Sequence, residues 1–163
     1  MRIVTVYRYE PYRHGALMAQ ASLHRQVEGK LNAQDVRYTK GRRTVVTALA
    51  ECDGPRSAAE LSVSIGATVP LSSLYRTLAV LEESKIVTPH FATKGLARYE
   101  LAEWLTGHHH HLVCIECGTV EDIEVPPHYE RQVTALVDDI AATSSFTATN
   151  HALEIEGTCE QCA

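Results

Sequence analysis

Two Cys-x-x-Cys pairs, Cys114 with Cys117 and Cys159 with Cys162, are separated by 41 residues, and four consecutive histidines, His108 to His111, lead into the first pair. In a reducing compartment, paired knuckles of this kind point to a tetrahedral zinc site closed by four thiolates. A redox dithiol is the competing reading, but it expects one motif at a helix start after a strand, and neither pair has that setting. The spacing constrains the fold directly. The chain between the pairs must fold on its own account and return its two ends to one point. A histidine run also occurs as an expression tag or a solvated loop, yet this one is internal and only four residues long.

The chain between the knuckles has a clear pattern. Residues 111–125 alternate around a Cys-x-x-Cys-Gly turn, which predicts a β-hairpin. Residues 128–143 set Val133, Leu136, Val137 and Ile140 at helical spacing, and His151 to Glu156 alternate as a last strand. The expectation is a small α+β unit with one helix on a three-stranded antiparallel sheet, zinc pinning the last strand to the hairpin. The apolar face of the helix would pack on the sheet or on a second copy of the chain.

Charge divides the molecule. Residues 30–100 carry ten Lys and Arg against seven Asp and Glu, whereas residues 101–163 carry one against eleven, an asymmetry hidden in the net charge of −5. A basic first part suits a polyanion, and an acidic second part repels one and suits cations. This places a domain boundary near residue 101. Apolar content of 45% and charged content of 21% are those of an ordinary folded chain. No run approaches the length of a membrane span and the N-terminus lacks the apolar stretch of a signal peptide, so the chain is read as cytoplasmic with no membrane partner.

Ahead of the boundary, Thr39 can cap a helix over roughly 40–51, and Ser57-Ala-Ala-Glu60 is a capping-box pattern before a short helix ending near Gly66. Pro70 opens a third helix whose Leu74, Leu78 and Leu81 share one face. IVTPHF, the turn ATKG and LARYEL then make a hairpin. Three short helices followed by a hairpin are the order of a winged helix-turn-helix, whose third helix enters the major groove with Ser72, Ser73, Tyr75 and Arg76 near its leading end. An exposed helix face without a ligand is the plainer alternative. The basic cluster Arg37, Lys40, Arg42 and Arg43 favours phosphate contact.

Taken together, SSLYRTLAVLEESKIV, HHHHLVCIECGTVEDIEV and HALEIEGTCEQC closely resemble the ferric uptake regulator (Fur) family, over residues from about 34 to 162, with the zinc uptake regulators the most similar branch. The resemblance implies a metal-activated, homodimeric DNA-binding repressor acting on double-stranded DNA with paired half-sites. It implies an N-terminal extension over 1–33, a winged-helix DNA-binding domain over 34–101 and a metal-binding dimerisation domain over 102–163. It implies a structural Zn²⁺ on Cys114, Cys117, Cys159 and Cys162. Because successive side chains of a strand face opposite ways, one histidine run can serve two further sites. By resemblance, Glu100, His109 and His111, with His90, form a regulatory site at the hinge between the domains. His108, His110 and His151, with Glu130, form a second site in the dimerisation domain. Zn²⁺ is the first choice for the regulatory cation, and Fe²⁺, Mn²⁺ or Ni²⁺ also suit imidazole and carboxylate donors.

The chain departs from the family in places. A histidine common near the start of the second helix is missing, and Pro55 or Arg56 stands there. ELAEWLTG contains no Cys, Thr88 stands where the zinc-uptake branch has an Asp, and Thr134 falls at the family position of the acidic ligand, one turn after Glu130. The first 17 residues have no counterpart, and Met18 would make a natural start. Among functional classes, a metal-dependent repressor leads, sensing zinc, or iron or manganese, or peroxide through an iron-loaded hinge. A hydrolase needs an open metal position and a poised base, for which there is no His-Glu-x-x-His. A metal buffer leaves the winged helix unused. The chain is therefore not read as an enzyme, and Cys52 is read as a buried small apolar residue.

Overall fold

The structure, a computed structural model, describes residues 16–91 and 95–163. The first 15 residues and residues 92–94 of the ATKG turn lie outside the described part, as do the expectations attached to them.

Residues 16–32, read from the sequence as part of an extension, form helix α1 (Ala16–Asn32). Its Leu23, Val27 and Leu31 recur every fourth residue, so they share one face and are buried in the same core as the helices that follow. Helix α2 (Lys40–Ala50) starts at Thr39, whose hydroxyl accepts from the Arg42 amide at 3.3 Å. Strand β1 (Arg56–Ser57) leads into α3 (Ala58–Ile65), where Ser57 and Glu60 form a reciprocal capping box. Helix α4 (Leu71–Glu83) follows Pro70 and buries Leu74, Leu78 and Leu81. Burial of each such leucine stabilises the fold by about 1.5–3 kcal/mol. Strands β2 (Val87–Phe91) and β3 (Ala97–Leu101) pair as the wing. Strand β1 joins them in the order β1-β3-β2, a third strand that the hairpin pattern did not announce. The buried Arg98 of β3 ties the wing to α3 by donating to Glu60 Oε2 at 3.0 Å and to the Pro55 carbonyl at 3.2 Å.

A short connecting helix, α5 (Glu103–Thr106), inserts Leu105 into this first core. Strands β4 (His110–Cys114) and β5 (Val120–Ile123) then form the hairpin around the first knuckle, followed by α6 (Pro127–Thr143) and β6 (Glu154–Gly157). The sheet order is β5-β4-β6, and β6 runs parallel to β4, which corrects the expectation of an all-antiparallel sheet. The physical reason lies in the path of the chain. Helix α6 and residues 144–153 carry it out and back to the end of the sheet where β5 finished, so β6 sets out in the direction of β4, as a long crossover allows. The strand also begins later than expected, leaving His151 just ahead of it.

Helix α6 leaves Leu136 59% and Ile140 55% exposed, so this face does not cover the sheet within one chain. The buried apolar cluster of this part consists of Val113 and Val120 among the described residues. The two parts meet closely at Gly54, whose φ of +112° suits glycine and where a Cβ would lie 2.8 Å from the Val120 carbonyl oxygen. Among the described residues no helix is long and apolar enough to cross a membrane.

Candidate metal centres and nucleic-acid face

The two knuckles meet. Sγ atoms of Cys114, Cys117, Cys159 and Cys162 lie within 4.8 Å of one another, and Cys117 and Cys159 are 3.8 Å apart. Four sulfurs about 2.3 Å from a central ion are separated by roughly that distance. Amides of Cys117 and Cys159 donate toward Cys114 and bring its thiol down to about 6, whereas hydrogen bonding to the neighbouring thiols pushes Cys162 up to about 12. Four thiols this close cannot all ionise without a cation among them, and the donor set is that of a structural zinc site.

The second cluster sits where the wing meets the β4–β5 hairpin. Glu100 of β3 is 9% exposed, and its Oε2 accepts from His109 Nε2 at 3.1 Å and His111 Nε2 at 3.3 Å. Its Oε1 pairs with His90 Nε2 of β2 at 2.6 Å. Burial raises the Glu100 carboxyl, but hydrogen bonds from His109, His111 and His90 outweigh it and hold the group well below the usual carboxylate range. Asp122 of β5 lies directly opposite His111 in the hairpin register, with Oδ1 3.6 Å from His111 Nε2. That oxygen is buried and accepts no hydrogen bond, and burial together with Glu100 raises its carboxyl. An unpartnered carboxylate oxygen aimed at two imidazoles fits a divalent cation. Ligand atoms of Glu100, His109, His111 and Asp122 all lie within 4.8 Å of one another, and His90, His111 and Glu154 make an overlapping group. Sequence reasoning missed Asp122 and Glu154. The signal for Asp122 was cross-strand register, since directly opposite residues of an antiparallel pair face the same side.

The third cluster uses the other half of the histidine run. Glu130, in the first turn of α6, places Oε2 2.8 Å from His110 Nε2, and its Oε1 2.9 Å from His151 Nε2 and 3.4 Å from His108 Nε2. Burial raises the Glu130 carboxyl, but the His110 hydrogen bond and the neighbouring imidazoles lower it further. His110 is 1% exposed and its Nδ1 is unpartnered, while His151 Nε2 approaches Glu130 without hydrogen-bond alignment. Four donors converging on one point, with His151 Nε2 against Glu130 Oε1 without a hydrogen bond between them, fit a shared cation.

The expected nucleic-acid residues do not form one patch. Along α4, Ser72, Tyr75 and Arg76 are exposed, Ser73 is half-buried, and Arg76 reaches back to Ser73 Oγ at 3.5 Å. Arg37 and Arg42 line a surface hollow with Val80, Glu83 and Ser84 at the far end of that helix, and Arg42 donates to the Arg37 carbonyl. Arg43 lies over the Tyr38 ring at 4.5 Å and 3.9 Å from Glu28, while Lys40 is exposed. The cluster divides because it enters a helix, where successive residues point about 100° apart. Cys52 packs against the first core and donates to the Ala48 carbonyl, and burial raises its thiol.

Comparison with known proteins places the chain beside a known family. The sequence pattern of the ferric uptake regulator family matches residues 33–156. The ferric uptake regulation protein of Bacillus subtilis is 30% identical over 142 residues, covering 84% of this chain and 92% of that protein. Among solved structures, the Vibrio cholerae ferric uptake regulator has a TM-score of 0.63 at 31% identity, covering 81% of this chain and 98% of that one. A zinc-bound manganese uptake regulator has a TM-score of 0.61 at 29% identity, covering 82% and 98%.

Proposed function

Because the chain belongs to the ferric uptake regulator family, whose members are metal-responsive DNA-binding regulators and not enzymes, we propose that it is a homodimeric repressor switched by a divalent cation at the junction of its two parts. In this reading residues 34–101 bind DNA through α4 and the wing, and residues 102–163 bind metal and dimerise in the cytoplasm. Structural zinc held by Cys114, Cys117, Cys159 and Cys162 staples the second part. The regulatory cation takes Glu100, His109 and His111, with Asp122 and His90 as further donors. The second site takes His108, His110, His151 and Glu130.

The observation that carries the reading is Glu100. It comes from the wing, yet its Oε2 faces two histidines beyond the connector. Ligands drawn from both parts converge in one relative orientation, so occupancy favours that orientation by its differential affinity. When the same orientation spaces the two α4 helices of a dimer for paired half-sites on double-stranded DNA, metal and operator binding are linked reciprocally. A bound cation supplies charge and geometry at the hinge, with no chemistry on a substrate.

Zinc is the regulatory metal in this proposal, and metal-uptake genes are the target class. Iron or manganese is the second reading, because the hinge offers two carboxylates and no thiolate, and oxygen donors suit those ions. The test pairs His109→Ala with His111→Ala and measures binding to an operator selected from random duplexes. The dimer should persist while metal-dependent affinity falls by about 100-fold, the upper range of such couplings. Undiminished metal dependence refutes the hinge reading. Parallel titrations with Zn²⁺, Fe²⁺, Mn²⁺ and Ni²⁺ identify the metal.

A further inference from the structure

We infer that Glu103, absent from every ligand set above, is the positioning residue of the second histidine site and links that site to the hinge, an inference that rests on the proposed reading of both. Glu103 opens α5, the connector between β3 and β4. Its Oε1 lies 3.0 Å from His108 Nδ1, and its Oε2 accepts from Asn150 Nδ2 at 3.3 Å.

An ionised carboxylate only accepts, so His108 Nδ1 carries the proton in this contact, and in the neutral ring Nε2 is left with its lone pair. That lone pair belongs to the nitrogen that faces Glu130 Oε1 at 3.4 Å, inside the cluster. A ligating histidine needs this tautomer, and a carboxylate on the distal nitrogen both selects it and fixes the ring. The second Glu103 oxygen holds Asn150, the residue before His151, which is itself a member of the cluster. One side chain thus orients two of the four donors without touching the centre.

The position of Glu103 in the chain supplies the link. Glu100, which accepts from the hinge histidines, lies three residues earlier, and between the two the Ala102 amide donates to the Ile86 carbonyl at 2.9 Å. Each site therefore grips one end of the stretch 100–103. Filling either one orders the stretch that the other uses, which makes the two sites positively coupled. A surface ion pair is the rival account, since the His108 and Glu103 side chains are 33% and 38% exposed. Such a pair adds little to stability and leaves metal affinity unmoved.

The experiment titrates Co²⁺ alone into the full-length dimer with its cysteine site preloaded with zinc, following ligand-field absorption, in the parent protein, Glu103→Ala, Glu103→Gln and His110→Ala. Nitrogen-15 spectra of the histidine rings are recorded on the same proteins without Co²⁺. Glu103→Ala should weaken the second site by about 10–100-fold, the range for lost outer partners of a ligating histidine. It should also release His108 from its single tautomer and weaken the hinge several-fold. Glu103→Gln, whose amide oxygen still accepts from Nδ1, should restore most of the affinity. Second-site affinity and tautomer unchanged in Glu103→Ala overturn the positioning role, and hinge affinity unchanged beside a weakened second site overturns the link. If His110→Ala leaves the titration as it was, the second site itself fails, which is a failure of the underlying reading and is separable from that of Glu103.

Discussion

The Glu100 carboxylate gathers imidazoles from both sides of the connector, and the protons on those imidazoles compete with any entering cation. Burial lowers the His109 pKa, but the hydrogen bond to Glu100, the Gly107 carbonyl and the charges of Glu100 and Asp122 push it up to about 9. The sign of the pH dependence follows. In the metal-free protein the raised His109 stabilises the closed arrangement below its unperturbed value, and that contribution is lost as pH rises through about 9. A cation must displace the same proton, so hinge affinity should rise about tenfold per pH unit between roughly pH 7 and 9 and then level off. Competition titrations across that range check it, and a flat profile contradicts it. Asp122 brings a donor that carries no such competing hydrogen bond, because its buried Oδ1 has no hydrogen-bond partner.

Among the elements, the loop ahead of β1 comes closest to β5 at Gly54. Gly54 has φ +112°, and an added Cβ would fall 2.8 Å from the Val120 carbonyl oxygen and 3.2 Å from Asp122 Oδ1. Two backbones approach there with no room for a side chain. Gly54→Ala combines an unfavourable φ with a backbone clash, costing about 1–3 kcal/mol in the closed arrangement. Hinge metal binding should weaken by roughly 5–150-fold, with zinc at the cysteines retained, as read by titration and elemental analysis. Equal hinge affinity in the variant would show that this contact does not set the orientation. Helix α1 also owes its place to packing across the fold. Its Leu23, Val27 and Leu31 are buried, but a narrow stripe of three residues on a polar helix is a weak periodic signal.

For the whole molecule, the two parts are held together differently. The first has a continuous apolar core running from Leu23 to Leu105, whereas the second buries Val113, Cys114, Val120, Ile123 and Ala141 among the described residues, with Val113 and Val120 packed together. So small a core supplies little apolar burial, and in the proposed reading zinc at the four cysteines adds the missing folding energy. Cys159→Ser should therefore unfold the second part and, with it, the dimer, while the first part keeps its helical circular dichroism. Sedimentation measures the first outcome, and a folded dimer with full zinc content would falsify the staple. Leu136 and Ile140 of α6 leave an apolar surface exposed, which the proposed homodimer would cover.

Local rules make much of this molecule legible in its sequence. Caps at Thr39 and Ser57 and the leucine face of α4 depend on spacings of a few residues, where geometry is set by the helix itself, and the two cysteine pairs were legible because their residue type and pairing name a shared centre. The alternation of the histidine run likewise appears in its division between two clusters. The antiparallel expectation for β6 failed because strand direction depends on the path of the whole crossover, which has no local signature. Asp122, Glu103 and Asn150 were silent because a carboxylate or amide acquires meaning from what lies opposite it, across a hairpin or 47 residues along the chain. Capped helices, the wing hairpin, the cysteine donors and the histidine donors were readable from residue types and near-neighbour spacing, through forces that act locally. The course of β6, the packing of α1 and the carboxylates Asp122 and Glu154 came only with the tertiary structure, because they are set by long-range packing between parts of the chain that local pattern does not join.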